Sequence, residues 1–184
     1  MHWVAFFSQT GSEIVNISEK IGRWPDLIVT NRQSGYDKIN SKISERLNAG
    51  KQRMLLVEKK PTVDRYHEAI RDGAIVTLHG WLRIVPEEIC DKYEIYNGHP
   101  GLITTYPELK GKDPQVRAYE GKYETAGSVI HEVVPEVDAG KILKEGQVDI
   151  KDKSLDEVYS SLHKLSTDLW IDFLKEKFND TSKR

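Results

Sequence analysis

Val4-Ala5-Phe6-Phe7 passes through Ser8-Gln9-Thr10-Gly11-Ser12 into the helix-compatible stretch Glu13 to Ile21. The order is strand, tight polar loop, helix. Further apolar runs follow at Leu27 to Asn31, Met54 to Val57 and Ala74 to Leu78. Between them, Tyr36 to Leu47 sets Ile39, Ile43 and Leu47 at i, i+4, i+8, one face of a helix. Thr62 to Asp72 reads as a further helix, with Thr62 as its cap and Gly73 as its stop. Short continuous apolar strands alternating with amphipathic helices predict a parallel sheet covered on both faces and built from right-handed crossovers. The first half is therefore a Rossmann-like, doubly wound α/β unit. Ligands of such sheets sit beyond the carboxyl ends of the strands, which directs the search for chemistry to residues 8–12, Asn31, residues 78–85 and residues 97–101.

After Gly101 the pattern changes. Gly127 to Val134 and Lys141 to Ile150 read as two strands joined by the turn Pro135 to Gly140, a pair close enough in sequence to be antiparallel and appended to the mostly parallel sheet. From Ser154 to Phe178, Leu155, Val158, Leu162, Leu165 and Leu169 mark a long amphipathic C-terminal helix that closes the core. No repeat, low-complexity tract or linker interrupts the 184 residues, so residues 1–184 read as one domain.

Composition narrows the class. Lys plus Arg number 27 against 29 Asp plus Glu, a net charge of −2, which lacks the electrostatic footprint of a protein that grips long nucleic acid but leaves room for a small phosphorylated ligand. From Lys151 to Arg184 the charges cancel, seven against seven, so no basic tail is present. Cys90 is the single cysteine and has no thiol partner for a disulfide or a thiolate metal cluster, which suits a reducing compartment. The apolar start Met1 to Phe7 is too short to span a membrane and lacks a basic leader and cleavage pattern. A cytoplasmic protein with no membrane partner is expected.

Three features compete as sites. Gln9-Thr10-Gly11-Ser12 joins a strand to a helix, where backbone amides and the helix dipole can hold a phosphate. It has neither the spacing of a dinucleotide fingerprint nor the Lys-Ser or Lys-Thr ending of a Walker loop, and an ordinary turn capped by Ser12 explains it equally well. Asn97-Gly98-His99-Pro100-Gly101 follows the apolar Ile95-Tyr96 and so lies at a strand end, where Pro100 and the glycines direct His99; a lone histidine is as often structural. Asp138-Ala139-Gly140 occupies a turn, where an aspartate commonly caps its own backbone. His79, His99 and His131 show no metal-ligand spacing, so no metal is expected, and no Gly-x-Ser-x-Gly elbow marks a serine hydrolase.

Together, Asn97-Gly98-His99-Pro100 and, 39 residues after His99, Asp138-Ala139-Gly140 resemble the folate-dependent formyltransferase family. Its members include glycinamide ribonucleotide formyltransferase, the catalytic domain of methionyl-tRNA formyltransferase and the nucleotide-sugar N-formyltransferases. The likeness covers most of the chain, from Phe6 to Ser12 through Gly80-Trp81-Leu82-Arg83-Ile84-Val85 to Gly127 to Gly140. It implies one-carbon transfer from 10-formyltetrahydrofolate to a primary amine, through a tetrahedral oxyanion that needs donors aimed at it. Asn97 and His99 would supply them, and Asp138 would orient His99 and assist proton movement. Leu82, Arg83 and Val85 would offer backbone groups to the pterin, with Val133, Val134 and Pro135 in the opposite wall. A surface charge is the lesser alternative for Arg83, and Cys90 and His131 read as packing residues.

Acceptor phosphates would lie near Ser8, Gln9, Thr10, Gly11 and Ser12 or near Lys110 and Lys112. Departures from the family shape the choice of acceptor. Where the glycinamide ribonucleotide enzymes carry a Gly- and Asn-rich phosphate loop, this chain has Gln9, Thr10 and Glu13, and a carboxylate repels phosphate. His99-Pro100-Gly101, Gly111 to Gln115 and Ile130 to Glu132 look closer to the nucleotide-sugar enzymes, so the expected acceptor is a nucleotide-linked amino sugar such as a dTDP-amino-dideoxyhexose, with phosphoribosylglycinamide as the alternative. Deformylation of the folate, and a folate- or nucleotide-binding module without turnover, are further readings. With few residues after the last helix, the tRNA branch is expected least. The terminal helix or the Lys141 to Ile150 strand could pair two copies as a homodimer.

Overall fold

The computed structural model describes residues 1–180, so the last four residues of the expected 1–184 domain lie outside the described residues. The described chain forms two compact units, Met1–Asn97 with Val133–Pro135, and Gly98–Glu132 with the chain from Glu136 onward.

In the first unit, β1 (Trp3–Phe7), β2 (Leu27–Thr30), β3 (Met54–Leu56), β4 (Ile75–Leu78) and the start of β5 (Glu94–His99) run parallel in the order β3-β2-β1-β4-β5. All five β1 residues are buried, as expected of a strand covered on both faces. Phe6 packs edge-on to Trp81 at 5.2 Å, and Trp81 Nε1–H donates to Tyr66 Oη at 3.2 Å, so the large aromatics of this core are also satisfied as polar groups. The strand order reverses between β1 and β4, the place where such sheets open a ligand crevice.

The helices correct the sequence reading in three places. α1 (Ser12–Ile21) begins on Ser12 and is not capped by it: Gly11 occupies the cap position with φ 74, a left-handed conformation that costs glycine least, and a Cβ there would come within 2.6 Å of Ile43 Cδ1. The segment expected as one helix from Tyr36 to Leu47 is a 3-10 turn, Tyr36–Lys38, followed by α2 (Ser41–Asn48). Asn40 separates them because its Oδ1 accepts the Lys42 N–H at 3.0 Å, starting a new helix in place of continuing the old one. α3 (Val63–Ala69) starts as expected on Thr62, whose Oγ1 accepts the Arg65 N–H, but stops short of Asp72. Ile70 turns extended there and buries its side chain in the core. A short helix, α4 (Glu87–Lys92), follows Pro86.

The second unit holds the end of β5, α5 (Pro114–Glu120), the antiparallel pair β6 (Thr125–Glu132) and β7 (Ile142–Asp149), and α6 (Leu155–Asn179). The pairing of β6 with β7 shifts register between Ile130 and His131. Ser154 and Glu157 form a reciprocal capping box that starts α6. Its buried seam, Val158, Leu162, Ser166, Trp170, Phe173 and Leu174, drifts from the expected leucine stripe, leaving Leu165 and Leu169 on its flank. Thus the chain has the expected α/β class: a doubly wound parallel sheet, an antiparallel C-terminal pair and a long C-terminal helix. Among the described residues no helix is long and apolar enough to cross a membrane.

Candidate active site

Two residues apart on β5, Asn97 and His99 project to the same side of the strand. Asn97 is half-buried, and its amide makes no hydrogen bond among the described residues. His99 is buried and its Nε2–H donates to the Leu109 carbonyl at 2.9 Å, which leaves Nδ1 facing Asp138 Oδ2 at 3.4 Å. Gly101 makes room for this arrangement: a Cβ there would lie 2.9 Å from Pro114 Cβ and 3.0 Å from His99 Nε2.

Asp138 is not the self-capping turn residue that an isolated aspartate in a turn suggests. It adopts φ 53, is buried, and its Oδ2 accepts the Gly111 N–H at 2.9 Å. On its other side stands His131, read from the sequence as packing: Nε2 lies 3.2 Å from Asp138 Oδ1, and Nδ1–H donates to the Glu132 carbonyl at 2.8 Å. The signal for His131 was its place inside the apolar run Val129 to Val134, because a polar ring buried there requires a partner. Each imidazole thus spends one N–H on a carbonyl and turns the other nitrogen to the same carboxylate, so any proton held between the rings is shared through Asp138.

Electrostatics follow from this packing. Burial pushes the His99 pKa below its ordinary value, against the opposing pull of the Asp138 charge and the Leu109 carbonyl; His131 and Arg117 add to the lowering. Burial acts to raise the Asp138 pKa, but the close His131 ring, the His99 charge and the Gly111 amide outweigh it and hold the carboxyl below its usual range. At neutral pH the pair is therefore an ionised carboxylate, able to accept a proton, beside a mostly neutral imidazole. Lys110 and Lys112 are in the same unit, and neither ammonium has an ion-pair partner among the described residues.

The first unit brings together the other expected residues. Ser8 N–H donates to the Gly80 carbonyl at 3.1 Å, and Leu82 N–H donates to Ser8 Oγ at 3.1 Å, joining the loop after β1 to the segment after β4. The Ser12 amide is engaged by Thr10 Oγ1, and Asn40 N–H by the Thr10 carbonyl, so much of the loop's polarity is satisfied within the chain. Arg32 fastens it further through Nη1–H to the Gln9 carbonyl at 2.6 Å and Nε–H to the Gly35 carbonyl at 2.9 Å. Glu13, in the first turn of α1, pairs with the buried His79 at 2.8 Å. His79 Nε2 meets Thr77 Oγ1, which also accepts Trp3 Nε1–H, both at 2.8 Å.

Leu82, Ile84 and Val134 are exposed apolar side chains, Leu82 at 63% and Ile84 at 72%. The main-chain amides of Arg83, Ile84 and Val85 make no hydrogen bond among the described residues, and Arg83 Nε is buried without a partner. Val133 N–H donates to the Ile95 carbonyl at 2.9 Å and ties Val133–Pro135 to β5. Exposed apolar walls with unused main-chain donors fit a flat, hydrogen-bonding heteroaromatic such as a pterin.

Residues 28–174 match the family model described as "Formyl transferase". The chain is 30% identical over 126 residues to methionyl-tRNA formyltransferase from Thermotoga neapolitana, covering 67% of this chain and 39% of that protein. It is 25% identical over 115 residues to phosphoribosylglycinamide formyltransferase from Bacillus subtilis, covering 61% of this chain and 55% of that protein. It therefore spans about two fifths of the length of the tRNA enzyme and just over half that of the other. Among solved structures, phosphoribosylglycinamide formyltransferase from Bacillus halodurans is similar in fold, with a TM-score of 0.79 at 21% identity, over 98% of this chain and 96% of that one. With a family match running from β2 into α6, over a fold that agrees with it, this chain belongs to the formyl transferase family.

Proposed function

We propose that the chain transfers the formyl group of 10-formyltetrahydrofolate to a primary amine of a small phosphorylated acceptor, and that residues 1–184 act as one catalytic domain. The observation that carries this reading is the buried His99–Asp138 pair at the end of the strand that also bears Asn97. The folate supplies a formyl carbon activated by its nitrogen. The Asn97 amide donates to the formyl oxygen as negative charge develops there. The amine's lone pair forms the new bond to carbon; Asp138, ionised and fixed by Gly111 beside His99, then accepts a proton from that nitrogen through a water, and the oxyanion collapses as the bond to the folate nitrogen breaks. That proton ends on the departing folate nitrogen. Leu82, Arg83 and Val85, with Val133, Val134 and Pro135, hold the pterin by apolar contact and main-chain hydrogen bonds.

For the acceptor we favour a nucleotide-linked amino sugar over phosphoribosylglycinamide. Glu13, paired to His79 in the first turn of α1, sets negative charge where a terminal monophosphate would approach the helix. Phosphates that contact Ser8, Gln9, Thr10, Gly11 and Ser12 must avoid it, and Lys110 and Lys112 offer unpaired cations as another anchor. The test is to mix the enzyme and 10-formyltetrahydrofolate with each amine in turn and follow tetrahydrofolate release, with formate release in the absence of amine as the control for hydrolysis. Asn97→Ala and His99→Ala should each abolish transfer while folate still binds; wild-type rates in either would overturn the assignment. Transfer to phosphoribosylglycinamide alone would overturn the choice of acceptor.

A further inference from the structure

We infer that Arg117 is a positioning residue for the His99–Asp138 pair, acting through the Glu108–Lys112 loop. The inference rests on the proposed role of that pair. Arg117, on α5, donates Nη1–H to the Glu108 carbonyl at 2.5 Å and Nη2–H to the carbonyls of Leu109 at 3.1 Å and Lys110 at 2.8 Å. Its Nε–H donates to the Lys112 carbonyl at 2.9 Å. Four main-chain carbonyls within five residues thus converge on one planar guanidinium, which makes no ion pair among the described residues. The nearby Glu108 carboxylate is instead bonded to the Tyr123 hydroxyl at 2.7 Å.

The same loop holds both members of the pair. The Leu109 carbonyl that accepts from Arg117 also accepts His99 Nε2–H, and the Gly111 amide donates to Asp138. A carbonyl can donate no proton, so Leu109 keeps the neutral His99 protonated on Nε2 and leaves Nδ1 toward Asp138. The Leu109 side chain is buried in the core of this unit, which anchors the loop at one point; the carbonyl directions depend on Arg117. A lysine cannot reproduce this grip, because its single ammonium cannot span four acceptors in a fixed plane. The groups facing His99 are Asp138, His131 and Arg117 itself, so loss of the guanidinium alters both the geometry and the charge around the ring.

Arg117→Gln and Arg117→Lys, compared with the wild-type chain, test the assignment. Arg117→Gln should lower kcat by about 10- to 100-fold, the cost of a small misplacement of reacting groups, with KM for the folate within about twofold. Arg117→Lys should recover part of the loss. The pH–rate profile should move with kcat, and the nitrogen NMR signals of His99 should change from the Nε2–H tautomer to a mixture. If Arg117→Gln fails to fold, the same readouts on Arg117→Lys decide the matter. A folded variant with unchanged tautomer, pH profile and kcat would overturn the assignment. The tautomer measurement needs no turnover: if the wild type transfers no formyl group, an altered tautomer still supports the positioning role while the functional reading fails.

Discussion

Arg32 and Arg117 do the same mechanical work in different units. Each is a guanidinium without an ion pair among the described residues, and each fixes a loop by its carbonyls: Gln9 and Gly35 for Arg32, residues 108–112 for Arg117. The loops differ in what they leave available. Around Arg32, Thr10, Ser12 and Asn40 bond to one another beside α1, which spends much of their polarity within the loop. Around Arg117, the remaining capacity of Leu109 and Gly111 is spent on an imidazole and a carboxylate. Such clamps set backbone direction, and function depends on which side chains the clamped backbone meets.

The largest effect should come from Asp138→Asn, which preserves shape but removes the charge. Single-turnover formyl transfer should fall by about 100- to 1,000-fold, comparable to loss of an oxyanion donor. A rate within a few-fold of wild type would overturn the role proposed for Asp138. Gly101→Ala comes next, since its Cβ presses on Pro114 and the His99 ring. Overpacking of this kind costs about 1–3 kcal/mol, to be read as a lower denaturation midpoint together with slower transfer; an unchanged midpoint would show that the ring has room to yield.

Arg32→Gln should be milder and of another kind. Loss of a charge-assisted contact to the loop should raise the acceptor KM by about fivefold, near 1 kcal/mol, with kcat largely retained. An equal fall in kcat for Arg32→Gln and Arg117→Gln would erase the distinction between the two clamps. The smallest effect concerns pH. Because burial lowers the His99 pKa in the folded chain below 6.5, the unfolded state binds more protons as pH falls from 6.5 toward the folded value. Its contribution to stability is present above that window and is lost within it. Asp138, also lowered in the fold, acts in the same direction further into acid. Thermal melting should therefore drop between neutral pH and pH ~5, and less steeply in His99→Gln; parallel slopes would count against a depressed His99.

Much of the architecture could be read directly. The apolar runs Trp3 to Phe7 and Ile75 to Leu78 announce strands because burial on both faces leaves no polar alternation, and Ser154 opens α6 where a capping residue should. Asn97 and His99 are named together through the family resemblance, and their two-residue spacing on β5 then sets them on one side of the strand. The misread boundaries share a cause. At Asn40 and Ile70, a local hydrogen bond or the pull of the core broke a helix that hydrophobic spacing alone would have continued, and at Gly11 a left-handed cap starts α1 one residue before the expected Glu13.

Periodicity and spacing therefore reach as far as elements, class and the residues adjacent on one strand. They do not reach His131 against Asp138, Leu109 behind His99 or Arg117 beneath the loop. Those relations join residues distant in sequence, and two of them run through carbonyl groups that every residue possesses. A side chain announces its chemistry by its type, but a backbone acceptor acquires a role only when the folded chain turns it toward a donor.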